Sequence, residues 1–160
     1  MSYKIRVSSR AIIIHDGKIL LNKFGDGKYY NFIGGGIQEN ETAKQAVVRE
    51  IMEESGLSAD VGELVFSLEH EPKSCNYLLG NNHHISLFFR CYLNTDIPPQ
   101  IPSNLDTNPD DTSITSVAEW VELSKLNSIN IVPKIYESLI RYIETGVFSP
   151  SFWAECEHME

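Results

Sequence analysis

Two hydrophobic rhythms run along this chain, and the points where one gives way to the other divide it into elements. Residues 6–15 contain the apolar run AIII, residues 18–23 read KILLNK, and Asp16-Gly17 between them is a favoured two-residue hairpin turn. Strand, tight turn and strand are predicted. The loop FGDGK then leads into a short aromatic strand, YYNFI, and on to three consecutive glycines at 34–36. From 42 to 55 the spacing becomes helical. At about 100° per residue, Val47, Val48, Ile51 and Met52 cluster on one side, which is expected to face the core. Thr42 and Gln45 stand in capping-box spacing at the start of this helix, and Gly56 suits the left-handed conformation just past its end.

Further strands are predicted at 61–68, 85–92 (ISLFFRCY) and 118–123, and a second helix at 132–143 through Ile135, Leu139 and Tyr142. Residues 94–111 hold four of the seven prolines together with Asn and Asp, the composition of a long loop. His83-His84 fits no zinc-ligand spacing and is read as a loop or strand-edge pair. This order, a mostly antiparallel β pattern interrupted by one helix and closed by another, predicts an α+β or layered α/β/α domain rather than a doubly wound βαβ repeat. Residues 1–147 are expected to form one domain, with 148–160 a tail that docks or frays.

Composition narrows the class of partner. The 160 residues carry a net charge of −9, which argues against a polymeric nucleic acid and leaves room for a small phosphorylated ligand if metal ions supply the positive charge. No apolar run approaches the roughly 20 residues that span a bilayer, and the polar start MSYKIRVSSR lacks a secretory pattern. Neither a membrane nor export is expected. Cysteines 75, 91 and 156 are odd in number and form no C-x-x-C pair, so no disulfide framework is expected and a cytoplasmic location is.

The first helix breaks two local rules at once. Glu50, Glu53 and Glu54 lie together on one face, where each like-charge pair costs roughly 0.2–0.5 kcal/mol, and all three sit in the C-terminal half, where the helix dipole disfavours negative charge. Glu-rich faces are ordinarily just solvated. Here three glycines directly precede the helix, where backbone can approach a ligand closely, and a carboxylate cluster of hard oxygens suits Mg²⁺, Mn²⁺ or Ca²⁺. Neither an EF-hand loop nor a G-x-x-x-x-G-K-[ST] phosphate loop is present.

Gly35, Glu41 and the run Arg49-Glu50-Ile51-Met52-Glu53-Glu54-Ser55-Gly56-Leu57 fill every specified position of G-x(5)-E-x(7)-R-E-U-x-E-E-x-G-U, where U is apolar. The chain resembles the Nudix hydrolases. That resemblance implies an α/β/α sandwich with a mixed, mainly antiparallel sheet, and Mg²⁺-dependent hydrolysis of a pyrophosphate bond in a nucleoside diphosphate linked to another moiety, with Mn²⁺ able to substitute. It implies Glu50, Glu53 and Glu54 as metal ligands with the Gly34 carbonyl, Arg49, Glu50 and Glu53 as catalytic residues, and Gly35, Glu41 and Gly56 as structural parts of the box. It leaves the general base open among Glu50, Asp110, Asp111 and Glu119, and a homodimer open as well. Ile33, Gln38 and Asn40 depart from many relatives at unspecified positions.

Candidate substrate contacts are Arg6 and Arg10 for phosphates and Tyr30 and Tyr77 for stacking on a base, with Lys23, Lys28 and Tyr29 further candidates. From a different functional class comes a nucleotide-binding sensor of the same fold that does not cut its ligand.

Overall fold

A computed structural model describes residues 3–77, 80–94 and 116–155. Asp110, Asp111 and Cys156 lie outside the described residues. Strand β1 (Ile5–His15) turns through Asp16 and Gly17, both at positive φ, into β2 (Lys18–Phe24). That pair of left-handed residues is what the Asp-Gly dipeptide supplies. A single 3₁₀ turn leads to β3 (Tyr29–Phe32) and β4 (Gly34–Gly36), followed by α1 (Ala43–Ser55). Then come β5 (Ala59–His70), β6 (His83–Leu93), β7 (Ser116–Glu122), α2 (Tyr136–Thr145) and β8 (Phe152–Ala154).

The strands form one mixed sheet in the order β3-β2-β1-β6-β5-β8, with β4 pairing to β1 and β7 to β2. β1 runs parallel to β6, and β5 parallel to β8; the other pairings are antiparallel. Because successive strand residues point to opposite faces, the central strands feed two cores. Ala11, Ile13, Leu20, Ile33 and Phe89 pack on one face with Val47 and Ile51 of α1. Ile12, Ile19, Leu21, Phe32, Phe66 and Phe88 pack on the other with Leu139 and Tyr142 of α2. Helices on both faces make the α/β/α sandwich that the element order predicted.

Local chemistry sets the bounds of α1. Thr42 Oγ1 accepts from the Gln45 backbone N–H, the Gln45 side chain accepts from the Thr42 N–H, and Gly56 closes the helix at φ 70°. The buried face is rotated from the one expected, however. Val48 and Met52 are 43% and 51% exposed, whereas Ala46, Val47, Ile51, Glu54 and Ser55 are buried. Glu54 turns inward because it has two hydrogen-bond donors waiting there, and this draws Met52 out.

Three further expectations are corrected. The second helix starts at Tyr136 rather than 132, because Ile131 bridges to Tyr30 and the Val132 N–H donates to the Tyr30 carbonyl. The glycines at 34–36 are a strand on β1, and His83 and His84 begin β6, with His83 buried between Tyr3 and Glu69. Cys75 is disulfide-bonded, while Cys91 is a free, buried thiol. Sequence spacing carries no information on which remote cysteines meet in space. As for the tail, β8 docks on β5, and Phe148 and Trp153 join the α2-side core.

Replacing Ile51 by Ala should cost about 2–5 kcal/mol in urea unfolding, whereas Met52→Ala should stay within about 0.5 kcal/mol. Equal losses would return Met52 to the core face.

Candidate active site

Strand β4 lies against β1 in the register Ser8 to Gly36, Ser9 to Gly35 and Arg10 to Gly34, and α1 packs across it. The acidic face therefore meets a strip of backbone without side chains. A Cβ on Gly35 would fall 2.4 Å from Glu50 Oε1. On Gly34, at φ +147°, it would fall 2.1 Å from the Ser9 carbonyl oxygen. Glycine at 35 is what lets the Glu50 carboxylate rest on the strand.

Arg49 organises this strip. Its Nη2 donates to Glu41 Oε1 at 2.7 Å and to the Gly36 carbonyl at 3.1 Å, and its Nη1 donates to Glu50 Oε1 at 2.7 Å and Glu53 Oε2 at 3.2 Å. One guanidinium thus joins the loop before α1, the glycine strand and two turns of the helix, using a planar fork of donors that a lysine lacks. The Glu41 carboxyl, which also accepts from the Gln38 N–H, is held below its ordinary range chiefly by the Arg49 hydrogen bond.

Glu54 sits deeper. Its Oε2 accepts from Asn22 Nδ2 and from the Gly34 N–H, each at 2.9 Å. Burial nevertheless pushes its carboxyl up to about 7, with Glu50 adding to the rise and the two donors and Arg10 opposing it. Asn22 Oδ1, beside it, is buried and has no hydrogen-bond partner. Arg10 donates to the Phe32 and Gly34 carbonyls, and burial lowers its pKa. Together with Arg6, Asn31 and the glycines, these acids line a cavity of about 970 Å³.

The description of the NUDIX domain matches residues 5–142 of this sequence. The chain belongs to the Nudix family. A CTP pyrophosphohydrolase of Escherichia coli is 43% identical over 65 residues, 38% of this chain and 48% of that protein. An oxidized purine nucleoside triphosphate hydrolase of mouse is 31% identical over 88 residues, 50% of this chain and 56% of that protein. The chain thus spans about half the length of these curated relatives. Among solved structures, a UDP-X diphosphatase superposes with a TM-score of 0.67 at 18% identity, over 96% of this chain and 68% of that one. An ADP-ribose pyrophosphatase from Streptococcus suis gives 0.62 at 22%, over 93% and 98%. At such identities the two structures establish the shared fold.

Nudix hydrolases generally use divalent metal ions, and the donor set here fits one. Glu50 Oε2, Glu53 Oε1 and Glu54 Oε1 accept no hydrogen bond from a described residue, and Asn22 Oδ1 is an orphaned oxygen beside them. A divalent cation would also offset the burial, and the lesser repulsion from Glu50, that raise Glu54. Arg49 instead fills part of this role, and no three acidic, histidine or cysteine groups among the described residues form a ready-made cluster. The Gly34 carbonyl, expected as a ligand, accepts from Arg10 at 3.0 Å.

Other expected site residues are scattered by the Nudix fold. Glu119, on β7, pairs with Lys23 at 2.6 Å and does not line the cavity. Tyr30 is 8% exposed in the α2-side core, and Tyr77 is 55% exposed in a turn away from the cavity. Tyr29 stacks on Phe24. Arg6 and Arg10 do line the cavity, but Arg10 is committed to backbone carbonyls, whereas Arg6 has no hydrogen bond or ion pair among the described residues. Asn22 and Asn31 were missed; the signal for Asn22 was a lone amide inside the apolar run ILLNK.

In chelator, the Glu54 carboxyl should titrate near pH 7 instead of the ordinary 4.5. With its folded pKa above the unfolded value, its protonation favours folding, so this contribution is complete below about pH 4.5 and lost as pH rises through about 7. Urea midpoints of metal-free protein should fall across that window, and Glu54→Gln should flatten the fall. An unchanged slope in the variant would contradict the assignment.

Proposed function

We propose that this chain is a pyrophosphohydrolase that cleaves a nucleoside diphosphate linked to another moiety, with Mg²⁺ as its cation and Mn²⁺ able to substitute. The observation that carries the reading is the Arg49-bound carboxylate set resting on a strand without side chains, beside a cavity open to a phosphate chain. The names of the relatives, a CTP pyrophosphohydrolase and oxidized purine nucleoside triphosphate hydrolases, support the same substrate class.

When bound, divalent metal would neutralise phosphate charge and acidify an attacking water. Glu50, Glu53 and Glu54 would hold it through their free oxygens, while Arg49 fixes the rotamers of Glu50 and Glu53. Glu50, pressed on Gly35, has one oxygen that no described residue engages, and that oxygen serves either as a metal ligand or as the base that takes a proton from water. Arg6, unpaired among the described residues and at the cavity wall, would meet substrate phosphate.

A sensor that binds nucleotide without cutting it is the second reading, favoured by the absence of a ready-made cation cluster among the described residues. A screen for released phosphate or nucleoside monophosphate, with and without Mg²⁺, separates the two: tight binding without cleavage supports the sensor. The same reading goes with a cytoplasmic location, where nucleotides are abundant; the Cys75 disulfide is the observation against it, and cell fractionation decides.

Glu50→Gln should leave the fold intact and lower Mg²⁺-dependent kcat at least about 100-fold. A near-normal rate would remove Glu50 from the mechanism. Arg6→Ala should raise KM about tenfold with kcat little changed, as expected when a uniform phosphate contact is lost.

A further inference from the structure

A second cavity, of about 240 Å³, lies on the α2 side of the sheet and shares Arg6, Arg10 and Asn31 with the first. Its floor follows from strand register. Arg6, His84 and His70 stand in one cross-strand row over β1, β6 and β5, with Ser8, Ser86 and Leu68 in the next and Arg10, Phe88 and Phe66 in the third. Period-2 alternation puts all three rows on one face. The floor therefore grades from polar at His70 to apolar at Phe88, and Val132 and Pro133 form an apolar wall. A flat ring between apolar surfaces, joined to a phosphate chain in the first cavity, matches this shape.

His70 gives the cavity its chemical preference. The residue is 2% exposed, and its Nδ1 lies 2.9 Å from Oε2 of Glu155, just past β8. An ionised carboxylate can only accept, so Nδ1 carries a proton and, in the neutral ring, Nε2 presents a lone pair. That Nε2 is shielded from solvent and has no hydrogen-bond partner among the described residues. Leaving such an acceptor unmet is costly, and only a donor can meet it. A donor that projects from the edge of a ring is the group such a nitrogen, at the polar end of the cavity, would select.

We infer that this cavity selects nucleotides whose base carries an exocyclic amine at the pyrimidine 4- or purine 6-position, and that His70, oriented by Glu155, makes the selection. Cytosine and adenine present that amine. Uracil and hypoxanthine present a carbonyl oxygen at the same place, which sets lone pair against lone pair. The inference rests on the pyrophosphohydrolase reading only for seating the phosphates in the first cavity. In this account His70 is a specificity residue that touches the base, and Glu155 a positioning residue that acts through it.

The test is calorimetric binding of CMP against UMP, and of AMP against IMP, to the intact chain, with kcat/KM for the corresponding triphosphates in Mg²⁺. The amine-bearing member of at least one pair should bind on the order of tenfold tighter or more, because a site built for a hydrogen bond rejects the analogue that cannot make it. The two pairs show whether the ring is pyrimidine or purine. His70→Phe should bring the ratio to about one, and Glu155→Gln should narrow it while kcat holds. Should His70→Phe fail to fold, His70→Gln replaces it: its amide turns either way, so both members of a pair should bind alike. Equal affinity within both pairs in the native chain, or a preference that survives His70 substitution, overturns the inference. Discrimination among monophosphates without cleavage of any triphosphate, dinucleotide or nucleotide sugar would sink the hydrolase reading and leave this one standing; cleavage without discrimination would do the reverse.

Discussion

One guanidinium holds the candidate site in shape. Arg49 takes Glu41 from the loop before α1, the Gly36 carbonyl from β4, and Glu50 and Glu53 from its own helix. Without that cation, three acids on adjacent turns would repel one another toward solvent. With it, Glu50 is pressed against Gly35, where any side chain on the strand would displace it. The rest follows: β4 must be glycine at 34 and 35, α1 must cross it closely, and Gly34 must carry a backbone N–H toward Glu54.

The two faces of the sheet divide the labour. On the α1 side the buried acids meet the glycine strand; on the α2 side the register of β1, β6 and β5 lines a cavity with Arg6, His84 and His70. Arg10 stands where the cavities join, yet its guanidinium is spent on the Phe32 and Gly34 carbonyls. It thereby braces the strand that both cavities share. Arg6, four residues back along β1, is unpaired among the described residues, and of these two arginines it is the one left for a ligand.

Much of this was legible in the chain. Asp16-Gly17 marked the hairpin, Thr42 with Gln45 and Gly56 marked both ends of α1, and the spacing from Gly35 to Leu57 marked the family, because each is a local signal. What escaped needed partners remote in sequence. The exposure of Met52 depends on Glu54 finding Asn22, 32 residues away along the chain. Tyr30 was read as a stacking residue because aromatic strands serve cores and ligands alike, and only the pairing with residues 130–132 shows which. His70 and Glu155 are 85 residues apart, and their meeting depends on β8 docking beside β5.

Whether hard cations are what the crowded acids of α1 exist to hold can be measured directly by titrating Mn²⁺ into the metal-free chain and into a Glu53→Gln, Glu54→Gln double variant, followed by the loss of the free-ion electron paramagnetic resonance signal. The account predicts saturable uptake by the native chain and none by the folded double variant. No uptake by the native chain, with or without nucleotide, or equal uptake by both proteins, would contradict it.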